Sequence, residues 1–524
     1  MRRIGVLALA LSLTPLARGM AQDAPRPERP LVERIVIRTH NVFDSTEARS
    51  NFLFRFANAI RFTTRPSVVR HELLFEEGQP YDSAKVAETM RNLRARGLFR
   101  DVTVTTVAKD SNTVDVIVET WDGWSTQLIL NARFTAGEFS WALGGRETNF
   151  LGTGATAGIV YRDEPDRTAL QLNGGMQRIR GSRFEVGGFW DNLSDGSFGA
   201  WAVGQPFRSL SDRHAFQLLG RAGQQRILQF RDGDSLQTYR RRLFQQGGHL
   251  SLAPVAGSGG FLRLGVAAQV KREEFLLYDL DPAPVPDTVS AAFGVFAELL
   301  KPHYRVVRYY STFGRDEDID LSTRIAVEGW LAPSGLGYES TGLGPGVTMQ
   351  TGFAFGKNFV HLAGAANGLF NAGGLDSGQV AVRLTAASQV IPKNSTVMHA
   401  QMAWRKGAPP GFEYDFGHGL GPRSFGPHAF TGDRSLWLAL EQRAFLINDL
   451  FGILGVGFAA FVDYGGAWYA DQPKRLGGDV GFGLRLGSTR SSGSNIGRFD
   501  LGYRFGEGWG DQRWAFSFGS GFAF

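Results

Sequence analysis

The residue types that carry most protein chemistry are present in these 524 residues, but not in working arrangements. There is no cysteine, which excludes a thiolate nucleophile, a thiolate metal site and any disulfide. The nine histidines include no His-Glu-x-x-His spacing and no clustered ligand set. No Gly-x-Ser-x-Gly elbow offers a hydrolase serine. Gly152-Thr-Gly154 has the glycine spacing of a phosphate loop but lacks the following helix whose N–H groups would hold the anion. Asp316-Glu317-Asp318 with Asp320 has the charge to bind a divalent cation, although a solvated extracellular or rim segment accounts for it more simply. These residues imply no catalytic site, no metal and no cofactor, and the chain reads as not an enzyme.

The composition points instead to extended structure. Glycine numbers 68 and aromatics reach 12%, while hydrophobic residues stop at 43%. After the first twenty residues no run approaches the roughly 18 apolar residues that a membrane helix needs. The first segment reads as a secretory leader. Met1-Arg2-Arg3 is a basic start, Ile4 to Leu16 an apolar core, and Gly19-Met20-Ala21 a small-residue cleavage context, giving a signal peptide over 1–21. Residues 22–30, rich in proline and arginine, read as a disordered linker. The formal charge is +6, and removal of Arg2, Arg3 and Arg18 with the leader leaves about +3, too little and too dispersed for a nucleic-acid partner.

Residues 31–122 read as a small α+β domain. Leu31 to Arg38 forms a strand, with Ile35 and Ile37 on one face. A polar helix-prone stretch spans Thr46 to Ile60, and a short helix lies around Ser67 to Phe75. Asp82 caps a further helix that aligns Val86, Met90 and Leu93 and ends at Gly97. Two alternating strands follow, through Val102-Val104 and Val114-Val116-Val118, joined by the polar turn Lys109-Asp110-Ser111-Asn112. This order, with Gly78-Gln-Pro-Tyr81-Asp82 and Gly97-Leu-Phe99-Arg-Asp-Val102, resembles a POTRA domain. The resemblance implies a sheet edge that receives extended client segments.

From residue 123 to 524 the pattern changes to period two, broken by clusters of Gly, Asp, Ser, Asn and Pro. Phe184, Val186, Gly188 and Trp190 oppose Arg183, Glu185 and Asp191. Leu264, Val266 and Val270 oppose Arg263, Gln269 and Lys271, and Phe499, Leu501, Tyr503 and Phe505 oppose Arg498, Asp500 and Arg504. Apolar faces with aromatic ends, opposite charged faces, suit strands between lipid and a wet lumen. About sixteen antiparallel strands are expected at roughly 25 residues per strand and connection. The last strand keeps its aromatic register through Phe522 and Phe524, which read as a C-terminal assembly signal. The expected fold is thus an all-β transmembrane barrel behind one small α+β domain.

Specific runs carry a family resemblance. Trp121-Asp-Gly-Trp124-Ser125 and Glu147-Thr-Asn149-Phe-Leu-Gly152 resemble the junction and early strands of BamA/TamA-type bacterial surface antigens. Gly421-Pro-Arg423-Ser424-Phe425, Glu441-Gln-Arg443, Phe461-Val-Asp463-Tyr-Gly465 and Gly481-Phe-Gly483-Leu-Arg485 resemble that family's inward-folded loop and the strands after it. The resemblance implies a lumen latch in which Arg423 of the Arg423-Ser424-Phe425 triplet reaches Glu441 and Asp463. Parity agrees, because Leu436, Leu438 and Leu440 put Glu441 on the polar face, and Val462 and Tyr464 do the same for Asp463. The family has glycine where Ser424 stands, which leaves the backbone less free.

The function implied is assembly or insertion of outer-membrane proteins, or translocation, with clients guided by the soluble domain and released through a barrel seam. Its partners would be the outer-membrane lipid bilayer, unfolded outer-membrane or secreted client proteins, and periplasmic accessory proteins. The soluble domain would lie in the periplasm of a diderm bacterium. A passive outer-membrane channel and a structural surface-antigen barrel are the alternatives.

Overall fold

The computed structural model describes residues 29–59, 61–135, 138–231, 234–277, 287–418, 420–491, 496–508 and 512–520. The segment expected to be a leader over 1–21, most of the expected linker, and Phe522 and Phe524 lie outside the described residues.

The soluble unit has three strands, β1 (Leu31–His40), β2 (Phe99–Ala108) and β3 (Thr113–Asp122), and four helices, α1 (Ser45–Ser50), α2 (Phe52–Ala59), α3 (Pro66–Arg70) and α4 (Ser83–Ala95). The sheet order is β1-β3-β2, with β1 parallel to β3 and β2 antiparallel to it. Alternation puts Val116 and Val118 of β3 beneath Val86 and Leu93 of α4, in one core with Val32, Phe75 and Leu98. The Asp82 carboxylate caps α4 by accepting from Ala84 N at 2.9 Å, and Gly97 takes the left-handed conformation (φ 64°) that lets the chain turn into β2.

The expected polar helix over Thr46 to Ile60 differs from the structure. Asn51, extended at φ −137°, divides it into α1 and α2, and α2 exposes Phe52, Leu53 and Phe56. The short helix expected to Phe75 stops at Arg70, and Phe75 instead joins the core.

The rest of the chain closes into an antiparallel barrel. Its first strand is β4 (Thr126–Thr135), followed by β5 (Glu138–Phe150), and the last is Trp514–Ser520, which lies beside β4 and closes the ring. Among the described residues the barrel has 20 strands, more than the sixteen expected. Connections are shorter than the spacing rule assumed: only residues 258–259 and 356–357 lie between neighbouring strands at two of the turns. Outward residues such as Leu128, Leu250, Val266, Val295 and Phe353 are apolar and exposed, whereas inward positions hold Arg423's partners and other buried charges. Among the described residues no helix is long and apolar enough to cross a membrane.

Two segments enter the barrel from opposite ends. Residues 407–433 connect strands at the end away from the soluble unit, while residues 302–322 connect strands at the end beside it. The second contains a small hairpin, Tyr304–Val307 with Glu317–Asp320. It packs Val307 and Leu321 on Phe359, Ala387 and Val397, and Phe313 on Phe445 and Ile496.

Candidate functional site

Four consecutive strands, Arg434–Leu450, Leu454–Trp468, Gly477–Ser488 and Ile496–Gly506, build one inner wall. Their antiparallel register stacks inward residues side by side: Asp463 lies opposite Asp479, Asp479 opposite Arg504, and Arg485 opposite Arg498. A wall of this kind carries unlike charges that need partners, because bulk water is shut out. The partner arrives from the incoming loop, whose stem pairs Tyr414–Phe416 with Phe430–Gly432.

Arg423, 1% exposed, sits at the tip. Its Nε donates to Asp463 Oδ2 at 2.6 Å, Nη2 to Asp463 Oδ1 at 3.0 Å, and Nη1 to Glu441 Oε2 at 2.6 Å. The guanidinium carbon stands 3.8 Å from the centre of the Phe461 ring. Planarity and five fixed donors let one arginine satisfy two carboxylates at once. Ser424 N donates to Asp479 Oδ2 at 3.0 Å, while its hydroxyl lies against the Cα of Gly502, where any side chain would collide. Ser424 is absent from the residues with positive φ, so the loss of the family's glycine imposes no left-handed strain here; Gly421 supplies that conformation at φ 71°. Phe425 is fully buried beside Phe430, with ring centres 5.1 Å apart.

The network extends beyond the residues singled out in the sequence. Arg443 Nε donates to Glu441 Oε1 at 2.9 Å and Nη1 to Tyr310 O at 3.0 Å, joining the latch to the segment 302–322. Arg485 pairs with Asp500 at 2.6 Å. Asp479 was legible as inward by parity, since it shares a face with Gly481, Gly483 and Arg485, but nothing local pointed to its pairing with the Ser424 backbone.

The loop also reaches the opposite wall. His428 Nδ1 lies 2.6 Å from Asp415 Oδ2 and Nε2 lies 3.2 Å from Asp166 Oδ2, with the ring stacked 3.4 Å from Phe230. Burial disfavours the imidazolium, but hydrogen bonds to Asp166 and Asp415 outweigh it and raise His428 to about 9. Thr431 Oγ1 donates to Phe230 O at 3.0 Å. His418 behaves oppositely: burial, then Arg133 nearby, lowers it to about 4, and its Nε2 meets Ser140 Oγ at 2.6 Å.

At the other end, the acidic run lies half-buried at the mouth beside the soluble unit, paired rather than free in solvent. Glu317 accepts from the backbone N–H groups of Tyr310, Ser311 and Thr312 at 3.0–3.1 Å, which folds the hairpin's tip back on itself. Asp318 accepts from Arg94 of α4 at 2.6 and 2.7 Å, and Asp316 pairs with Arg308. Arg91 stacks over Tyr304 at 4.3 Å. Glu88 accepts from Leu210 N at 2.7 Å, and burial there raises its carboxyl. No metal-binding cluster occurs among the described residues.

Residues 60–120 match the POTRA family model, described as a surface antigen variable number repeat. The soluble unit is a POTRA domain of the surface-antigen kind. Its pairing with a C-terminal barrel is the arrangement that the BamA/TamA resemblance implied. Similar solved structures include BamA from Haemophilus ducreyi lacking POTRA domains 1–3 (14% identity, covering 95% of this chain and 85% of that chain, TM-score 0.40). CdiB from Acinetobacter baumannii is 11% identical, with coverage of 94% and 74% and a TM-score of 0.45. CdiB from Escherichia coli is 11% identical, with coverage of 97% and 92% and a TM-score of 0.47. No curated protein sequence matches the chain. The POTRA domain spans the end of the barrel where the first and last strands meet. Arg65 N donates to Gly152 O at 3.0 Å on one side, and Glu47 pairs with Arg490 at 2.7 Å on the other.

Proposed function

We propose that the protein works in the outer membrane as an assembly, insertion or translocation factor for other proteins, with its POTRA domain in the periplasm. The observation that carries this reading is a lumen obstructed from both ends. The latched loop enters from one end and the hairpin 302–322 from the other, which disfavours a passive solute channel. A POTRA domain serves no purpose in such a channel, whereas its sheet can accept an extended client. The edge strand β2 leaves Thr105 to Ala108 exposed at its end, a site for strand addition.

The apolar outer face supports a bilayer around the barrel, where unpaired strand edges are costly. Client strands would pass from the POTRA domain to the seam between β4 and Trp514–Ser520. Closing each client's own ladder would then supply the free energy, without a nucleotide. Arg423, Ser424, Phe425, Glu441 and Asp463 act in this scheme as the latch that holds the loop while the seam works. Phe522 and Phe524 serve as the signal for the barrel's own assembly.

Depletion of the protein followed by a survey of the outer-membrane proteome tests the reading. A selective fall in barrel or secreted proteins is expected. An unchanged proteome together with steady conductance of the purified protein in planar bilayers would support the passive channel instead.

A further inference from the structure

We propose that α2 is a membrane-surface anchor, with its apolar face in the lipid at the POTRA-side rim of the barrel. The proposal rests on the reading that the barrel spans a bilayer. Successive residues of a helix are turned by about 100°, so Phe52, Leu53 and Phe56 fall within one arc and Phe54 and Asn58 on the opposite side. The second face belongs to the domain. Phe54 stacks on Phe43 with ring centres 4.1 Å apart, and Asn58 bonds both backbone groups of Phe43, at 2.8 and 3.3 Å. The first face has no partner among the described residues. Phe52, Leu53 and Phe56 are 67%, 62% and 55% exposed, and Phe62 just beyond the helix is 60% exposed.

The position of this face identifies its occupant. Gly452, in the turn between strands Arg434–Leu450 and Leu454–Trp468, lies so close that a Cβ there would be 3.5 Å from the Phe54 ring. Glu47 of α1 pairs with Arg490 at 2.7 Å, and Arg490 Nε donates to Gly452 O at 2.8 Å. The helix is thus tied to the rim of strands that lead into the seam. That rim is itself apolar: Leu446, Ile447, Phe451 and Ile453 are all exposed, Phe451 by 81%. The exposed face of α2 therefore continues the barrel's lipid belt. Arg55, exposed at the flank of the same face, can extend its guanidinium to lipid phosphates while its stem stays apolar. A short amphipathic helix of this kind lies in the bilayer interface rather than across it. Here it would hold the POTRA domain against the membrane beside the seam.

The chain's lack of cysteine permits a direct test. Single cysteines, Phe56→Cys, Val295→Cys and Ser111→Cys, are introduced into the full chain and labelled with a polarity-sensitive fluorophore. Each protein that keeps its heat-modifiable gel mobility is reconstituted in phosphatidylethanolamine–phosphatidylglycerol vesicles with and without nitroxide-labelled lipid. Leu53→Cys replaces Phe56→Cys if the latter fails to fold. Nitroxide lipid should quench the probe at Val295 on the barrel belt, and quench the α2 probe at least about threefold more than the probe at Ser111. Quenching at Val295, with the α2 probe behaving as at Ser111, overturns the anchor and leaves the membrane-spanning barrel intact. No quenching at Val295 overturns that underlying reading. A blue-shifted but unquenched α2 probe that reverts when residues 22–28 are removed would also overturn the proposal, assigning the face to the chain's own N-terminal segment.

Discussion

Arg423 and Asp463 meet inside the barrel as a two-pronged pair, Nε to Oδ2 at 2.6 Å and Nη2 to Oδ1 at 3.0 Å, with both side chains out of contact with water. Arg423→Ala leaves Asp463 and Glu441 buried and facing each other, and breaking a buried pair in this way costs about 3–5 kcal/mol. Hydrogen exchange across residues 420–430 should rise strongly in the alanine variant. Arg423→Lys should recover only part of the protection, since an ammonium cannot span both carboxylates. Wild-type exchange in the alanine variant would mean that packing of Phe425 holds the loop unaided. Normal client assembly despite a loosened loop would remove the latch's functional role.

The tie from His428 to Asp166 should weaken in alkali. Its folded value of about 9 lies above the ordinary 6.5. The stabilisation is therefore fully present below 6.5 and is lost as pH rises through about 9. Asp415 and Asp166 face the ring, and Arg167 and Arg226 stand behind Asp166. Exchange in the 420–430 segment, corrected for intrinsic rate, should increase between neutral pH and pH of about 10. His428→Gln should remove this pH dependence. An unchanged profile in that variant would assign the transition to another group.

Docking of α4 on the barrel depends on Arg94 and Asp318, each about 15% exposed at the side chain. Arg94→Glu sets two carboxylates together and forfeits hydrogen bonds to charged groups worth about 1.5–3 kcal/mol. Cross-linking between α4 and the 302–322 hairpin should fall in that variant. The combined exchange Arg94→Glu with Asp318→Arg should restore it. Failure of the exchange to restore cross-linking, in a protein that is otherwise folded, would shift the docking role to Glu88 and Leu210.

Residues 31–122 should fold when produced alone, because α4 and β3 close a core without help from the barrel. Leu93, with no exposed surface, lies at its centre. Leu93→Ala should lower stability by about 2–5 kcal/mol in denaturant titrations of the fragment. Mixed α/β circular dichroism is expected of the unmodified fragment. A disordered fragment would show that contacts such as Glu88 with Leu210 N are needed for folding.

Much of the architecture is written locally. Period-two alternation assigns a face to every strand residue, so Glu441 and Asp463 read as inward before any strand is paired. Asp82 and Gly97 likewise bracket α4 through backbone chemistry that acts within a few residues. Strand number was less legible, because a spacing of roughly 25 residues per strand and connection left no room for two-residue turns such as 258–259. The two faces of α2 were obscured for a related reason: eight residues are too few for a periodic signal, and Asn51 interrupts the pattern. The remaining features needed the closed barrel. Asp166 and His428 are 262 residues apart, and only closure of the barrel brings their loops together. The charge pair Arg94–Asp318 between the POTRA domain and the 302–322 hairpin arises in the same way. Alternation determines which side of a strand a residue occupies, but not which distant segment will enter the lumen to meet it. That choice is made when buried charges must find partners within one enclosed space.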